Sequence, residues 1–191
     1  MAGAASQAAF CIVYAWIARR MAWPFALTAG CMAFALATAA LTPIAPPLPV
    51  LALAVLVALC VAVRAMPRTA KDAGVRTPPP MWDLPARMVV ATAFVIVLTA
   101  SAGALGPRLT GLLAPFPLYA AVLTVFAHAF DGGDAAASVL RGLLLGLFAF
   151  AAFFLVLAVM LSTVGIGAAF ATAVAVALAL HATSLWLLHR L

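Results

Sequence analysis

Thr42-Pro43-Ile44-Ala45-Pro46-Pro47-Leu48-Pro49 separates two long apolar runs, and Gly106-Pro107-Arg108-Leu109-Thr110-Gly111-Leu112-Leu113-Ala114-Pro115-Phe116-Pro117 separates two more. Proline lacks an N–H, its ring clashes with the preceding turn, and it disfavours helix for the residue before it. Each stretch therefore marks the end of one helix and the start of another. Apolar runs of roughly 20 residues recur along the chain, the length that crosses about 30 Å of hydrocarbon. The pattern predicts an all-α fold, a polytopic transmembrane helical bundle. A β-barrel is excluded, because it needs short strands alternating polar and apolar residues.

Composition points the same way. The chain is 69% hydrophobic and 7% charged, where a soluble domain carries about 25% charged residues. Four acidic residues among 191 cannot solvate the surface of a globular fold with a mean hydropathy of +1.27. The net charge of +6 does not signal nucleic-acid binding, because the basic residues fall in loops and at helix ends, where membrane topology needs them. Cys11, Cys31 and Cys60 each lie inside an apolar run and form no CxxC pair. They read as small buried hydrophobes rather than a disulfide framework or a metal site.

Seven spans are expected, at about 3–18, 22–42, 46–64, 88–106, 112–130, 139–161 and 164–188. The first is short, carries Ser6 and Gln7, and is followed rather than preceded by charge at Arg19 and Arg20. A signal peptide has the opposite order, so the run is kept as a span, and a six-span count stays open. With the N-terminus outside, the inner side receives Arg19, Arg20, Arg64, Arg68, Lys71, Arg76, Arg87, Arg141 and Arg190, and the outer side only Arg108. That asymmetry sets an N-out, C-in orientation.

Three regions follow: a first membrane half (1–64), a linker (65–87) and a second membrane half (88–191). The linker is basic and contains Pro78-Pro79-Pro80, which favours stiff polyproline II. It suits the headgroups of the lipid bilayer on the cytoplasmic side. Trp23, Trp82 and Trp186 fall near expected interfaces, where indole rings anchor. Spans 2–3 and 4–5 both leave a basic inner loop, cross outward through an Ala/Thr-rich helix, turn at prolines and return. A parallel internal repeat is one reading of that correspondence.

Paired Pro/Gly interruptions at corresponding places are a sequence pointer to a solute site in membrane proteins. After Pro117 only about 13 residues precede the acidic loop, roughly 20 Å of helix. Residues 109–116 must then supply depth, and non-helical backbone there is tolerated only inside protein or along a cavity. A plain interfacial turn, with prolines in the first helical turn, is the competing reading. The candidate substrate-binding residues are Thr42, Pro43, Pro107, Arg108, Thr110, Gly111, Pro115, Pro117 and His128. Arg108 would attract an anion or snorkel to the interface. His128 would exchange protons with Asp131 or serve as an interfacial polar residue.

The stretch Gly111-Leu112-Leu113-Ala114-Pro115-Phe116-Pro117-Leu118-Tyr119-Ala120, followed by Ala127-His128 and Leu140-Arg141, resembles the GlpM family of small bacterial inner-membrane proteins. Members of that family carry a similar Gly-Leu-x-Pro-x-Phe-Pro signature, then Ala-His, then Leu-Arg ahead of the next span. The resemblance covers spans 4–7, about half the chain, which is longer than the family's typical member. It implies kinship and a connection with alginate polysaccharide production, but no mechanism.

Other polar residues have bland alternatives. His181 lies inside span 7 without an obvious partner and is either functional or bonded to a neighbouring carbonyl or hydroxyl. Asp131-Gly132-Gly133-Asp134 reads as a turn, with Asp134 starting or capping span 6 and Asp131 pairing loosely with Arg141. Thr38, Thr42, Thr92, Thr99, Ser101, Thr110 and Thr124 line a polar path or bond their own backbone. Gly142 and Gly146 have the spacing of a helix-packing face. No acidic residue falls at mid-membrane depth, and no Walker, HExxH or GxSxG motif is present. The chain is thus not expected to be an enzyme, and no metal or cofactor is implied.

The expectation is a bacterial inner-membrane transporter or permease-like protein for a small neutral or anionic solute, acting as a homodimer. The alternative is a non-transporting subunit that supports envelope polysaccharide or lipid assembly. A membrane enzyme using Asp131, Asp134, His128 and Arg141 is a third reading.

Overall fold

A computed structural model of the chain describes residues 2–43, 46–67, 84–93, 95–97, 99–100 and 117–190, with side chains from residue 3 through 183. The regular elements among these residues are helices: α1 (Ala2–Ala18), α2 (Trp23–Leu41), α3 (Leu48–Ala65), α4 (Leu84–Val97), α5 (Leu118–Asp131), α6 (Gly133–Val164) and α7 (Ile166–Arg190). Helices α2, α3, α6 and α7 (as far as Thr183) are long and apolar enough to cross a membrane, whereas α1, α4 and α5 are apolar but shorter. Leu36, Leu53, Val61, Leu161 and Leu178 face outward. An outer surface this apolar suits hydrocarbon rather than water, and the chain is a helical membrane protein.

The prolines act where helices begin. Pro24 and Pro49 lie in the first turns of α2 and α3, where N–H groups have no intrahelical acceptor and a missing one costs nothing. Pro47 precedes α3 with extended backbone (φ −59°, ψ 149°). Residues 42–49 thus join two helices by a proline turn, apart from residues 44–45, which lie outside the described chain. The two helices do not form a tight pair. Both pack against α1 instead.

Helix α1, the shortest expected span, lies inside the bundle and is its most buried helix. It packs most extensively on α2, and also on α6 and α3. Ala4, Ala8, Phe10, Cys11, Tyr14, Ala15 and Ala18 are all buried. These positions form two adjoining stripes at helical spacing, so α1 meets neighbours on more than one side. Its alanines let other backbones approach closely. Helices α5 and α7 both pack on α6.

Four contacts between distant chain positions gather helix ends at one end of the bundle. They join Tyr14 to His128, Trp16 to Ala65, Arg19 to Asp134 and Arg87 to Phe126. The ends of α1, α3 and α5 therefore lie with the starts of α4 and α6.

Two expected loops shrink to single residues. Span 6 was expected from about 139, yet α6 begins at Gly133, so only Gly132 separates it from α5. Likewise Gly165 alone separates α6 from α7. The two glycines share one conformation, φ 87°, ψ 178° and φ 82°, ψ 167°, in a region open essentially to glycine alone. Ala135, Ala136 and Ala137 are strong helix formers and extend α6 toward Gly132. Its 32 residues span about 48 Å, more than the hydrocarbon thickness.

Candidate functional site

A seam forms where α1, α2 and α5 meet, and the Tyr14–His128 contact lies in it. On α5, Leu118, Ala121 and Thr124 are buried, and His128 continues their face one turn beyond Thr124. On α2, Ala26, Gly30 and Phe34 are buried at four-residue spacing, and Thr38 continues that stripe. Between them α1 contributes Phe10 and Tyr14.

The Tyr14 hydroxyl lies 3.3 Å from His128 Nδ1. With the imidazole proton on Nε2, the hydroxyl donates to Nδ1. The two rings also meet edge to face, with centroids 5.9 Å apart. Phe10 stacks against Tyr14 at 5.7 Å and fills the space over Gly30, where an added Cβ would lie 2.9 Å from the Phe10 ring. An aromatic series Phe10–Tyr14–His128 thus runs from the glycine notch of α2 to α5. The partner that the structure gives His128 is Tyr14, which the sequence reading did not single out; Asp131 is exposed. A tyrosine inside an apolar run is itself a signal, since a buried phenol needs a partner.

Thr38, half-buried, and Thr124, buried, differ from the others. Thr28, Thr42, Thr99 and Thr172 donate their hydroxyls to the carbonyl four residues earlier, and Thr163 and Thr183 to the one three residues earlier. This is the ordinary way a helix satisfies a hydroxyl in an apolar setting. The Thr38 and Thr124 hydroxyl oxygens are buried and have no hydrogen-bond partner. Thr124 is fully buried. A polar atom left so costs about 1–3 kcal/mol, and such an atom calls for an explanation.

Of the candidate substrate-binding residues, His128 belongs to this seam. Pro117 is buried at the start of α5, and its carbonyl accepts from the Ala121 N–H at 2.8 Å. Thr42 and Pro43 are exposed, and the Thr42 hydroxyl donates to the Thr38 carbonyl at 2.7 Å. Pro107, Arg108, Thr110, Gly111 and Pro115 lie outside the described residues, as does the segment whose unwinding was expected. Thr92 and Thr99 are on exposed surface, far from the buried stripe in character.

The acidic turn is arranged differently from the expectation. Asp134 lies 3.8 Å from Arg19 of α1, both half-exposed, and Gly132 rather than Asp134 occupies the N-cap of α6. Asp134 sits in the first turn of α6, where a negative charge suits the helix dipole. Gly133 abuts the Ala18 carbonyl so closely that a Cβ there would collide with that oxygen and lie 2.7 Å from the carbonyl carbon. Nearby, the Trp16 indole donates to the Ala65 carbonyl at 2.9 Å, which satisfies an otherwise orphan acceptor at the end of α3.

A separate groove of about 710 Å³ lies along α5, α6 and α7. Leu123, Gly142, Gly146, Phe150 and Ala177 line it, and His181 is its polar member. Among the described residues no three His, Cys, Asp or Glu side chains gather at one place. The chain matches no family model, no curated protein and no solved structure.

Proposed function

We propose that the chain is a multi-pass protein of the bacterial inner membrane that moves a small neutral or anionic solute, with its site in the seam of α1, α2 and α5. The observation that carries this reading is the buried, unpartnered hydroxyl of Thr124, one helical turn from the His128 that meets Tyr14, together with the unpartnered Thr38 hydroxyl on α2. Binding a polar solute would give these atoms the partner that their own helices do not. Seven spans with the N-terminus outside accompany the proposal. Alternating spans bring the ends of α1, α3 and α5 to one side, in keeping with the four contacts that gather them. Arg19, Arg20, Arg64 and Arg87 lie at that end of their helices, which marks it as cytoplasmic by the charge rule. Kinship with the GlpM family belongs to the same proposal, on the motif in the second half of the chain.

The test is reconstitution of the full chain into proteoliposomes and measurement of solute-driven swelling and of anion uptake. Flux above that of empty vesicles is expected, and flux equal to empty vesicles for every solute tried would remove the transport reading.

A second reading rests on the groove beside Gly142 and Gly146. An apolar groove lined by glycines suits a transmembrane helix, as in a non-transporting subunit of an envelope-assembly complex. Filling the groove with Gly146→Leu would abolish co-purification of a membrane partner in that case, and would leave solute flux unchanged.

A further inference from the structure

We infer that the groove along α5, α6 and α7 binds a membrane quinone, a flat apolar ring whose carbonyl oxygen accepts a hydrogen bond from His181. The inference stands apart from the transport reading, whose solute site lies in the seam of α1, α2 and α5.

Depth is the first argument. His181 faces Gly146 across the groove, where an added Cβ would lie 3.6 Å from the imidazole Cε1. Gly146 is about 20 Å along α6 from Gly133 and about 27 Å from Val164. On α7, His181 is about 13 Å from Arg190. With α6 centred on a hydrocarbon layer about 30 Å thick, or with Arg190 at its edge, the imidazole lies about 10 Å or more inside. Ionisable side chains at such depth are rare and take a partner. His181 is exposed on the bundle surface and makes no hydrogen bond or ion pair among the described residues. Phospholipid headgroups stay at the boundary, and acyl chains carry no polar atom to this depth. The missing partner therefore comes as a polar atom on an apolar body.

Shape is the second argument. The groove measures about 710 Å³, within the range of about 300–1,000 Å³ of small-molecule sites. Its floor is bare backbone. A Cβ on Gly142 would meet nothing within 4 Å, and one on Gly146 would meet only His181. These glycines lie one turn apart, about 6 Å, which is the breadth of a substituted ring. Phe150 and Phe153 line the groove beyond them. Phe154 holds both, with ring centroids 4.7 Å and 5.2 Å away, and Phe170 meets Phe153 at 6.1 Å. A glycine floor beside fixed aromatic rings suits a planar ring. The groove takes that ring and the first isoprene units, and the rest of the tail stays in the bilayer.

Chemistry is the third argument. His181 is the polar side chain among the described residues that line the groove. A neutral imidazole has one N–H to donate and one nitrogen to accept. The N–H serves a quinone carbonyl, and the other nitrogen serves the hydroxyl of the quinol, so one residue holds either form. A transmembrane helix in the same groove would need a polar side chain of its own at this depth.

The test uses the full chain in nanodiscs of phosphatidylcholine and phosphatidylethanolamine, titrated with tritiated decylubiquinone, with the uptake of empty nanodiscs subtracted. Saturable binding at one site per chain is expected, and Leu36→Ala, outside the groove, should bind as the parent does. His181→Phe keeps a ring without the N–H and should weaken binding about tenfold, while His181→Gln keeps an N–H donor and should stay within about threefold. Gly146→Leu fills the groove and should abolish saturable binding. Decylbenzene, which lacks the oxygens, should compete about tenfold less well than the quinone. If His181→Phe does not fold, this competition on the unaltered chain decides. Uptake equal to that of empty nanodiscs would overturn the site. Binding that decylbenzene displaces equally well, or that His181→Phe leaves unchanged, would overturn the quinone and leave a groove for lipid chains. Binding retained in Gly146→Leu would overturn the assignment to this groove. Loss of a co-purifying membrane protein in that variant, without quinone binding in the parent, would give the groove to a helix instead. Solute flux tests the seam separately, and none of these outcomes alters it.

Discussion

Tyr14 and His128 are 114 positions apart in the chain, and their side chains meet at 3.3 Å and edge to face. This pair ties α1 to the face of α5 that carries Thr124. Interhelical hydrogen bonds in membranes contribute about 0.6 kcal/mol on average and up to about 1.7. Tyr14→Phe keeps the ring contact and removes the hydroxyl, so a double-mutant cycle with His128→Asn should give a coupling in that range. Equilibrium unfolding in mixed micelles reads it, and additive single effects would contradict the pairing.

Thr124→Val should separate stability from function. The two side chains have the same shape, and the substitution removes a buried hydroxyl that has no partner. Stability is expected to stay level or rise by about 1 kcal/mol, while solute flux falls. A thermal midpoint that drops by several degrees would show that the hydroxyl is satisfied inside the protein.

The glycines divide by what surrounds them. Gly133→Ala drives a methyl group into the Ala18 carbonyl, a backbone obstacle that cannot rotate aside, and a loss of about 1–3 kcal/mol or more is expected. Gly132→Ala meets open space but strains a positive φ, for about 1–3 kcal/mol. Gly142→Ala also meets open space, at helical dihedrals, and should be neutral or stabilising by up to about 1 kcal/mol. Melting of the three variants in one detergent ranks them.

Arg19 and Asp134 face each other at 3.8 Å with both side chains about half exposed. Exposed pairs of this kind contribute about 0–1 kcal/mol. Asp134→Asn should shift stability by less than about 1 kcal/mol, and salt should make no further difference to the variant. By contrast Trp16→Phe removes the donor to the Ala65 carbonyl, and should cost about 0.5–1.5 kcal/mol at any salt concentration.

The helices were legible because proline and glycine chemistry is local. Pro47 and Pro49 mark the start of α3, and His128, Thr38 and Thr124 stand out as polar residues in apolar runs. Tyr14 did not stand out, and neither did its meeting with His128. That contact depends on the register between α1 and α5, which no local pattern encodes. The role of α1 was hidden for a related reason. A helix buried on several sides has no single apolar stripe, so its sequence looks like any lipid-facing run. The conformation shared by Gly132 and Gly165 was hidden because glycine signals freedom, not which conformation is chosen. Gly132 was read as part of a two-glycine turn, and Gly165 was not distinguished at all.

The burial of α1 bears on how the protein is made. Helix α1 needs α6, which leaves the ribosome more than a hundred residues after it, to cover Ala18 and to set Gly133 beside it. Until then Ser6 and Tyr14, which are buried in the finished bundle, lack part of their surroundings. Closure of the bundle therefore waits until α6 has been made. A chain that stops before α6 would leave the α1 face that α6 covers open, and a protease or chaperone that recognises unfinished helical packing would find it there.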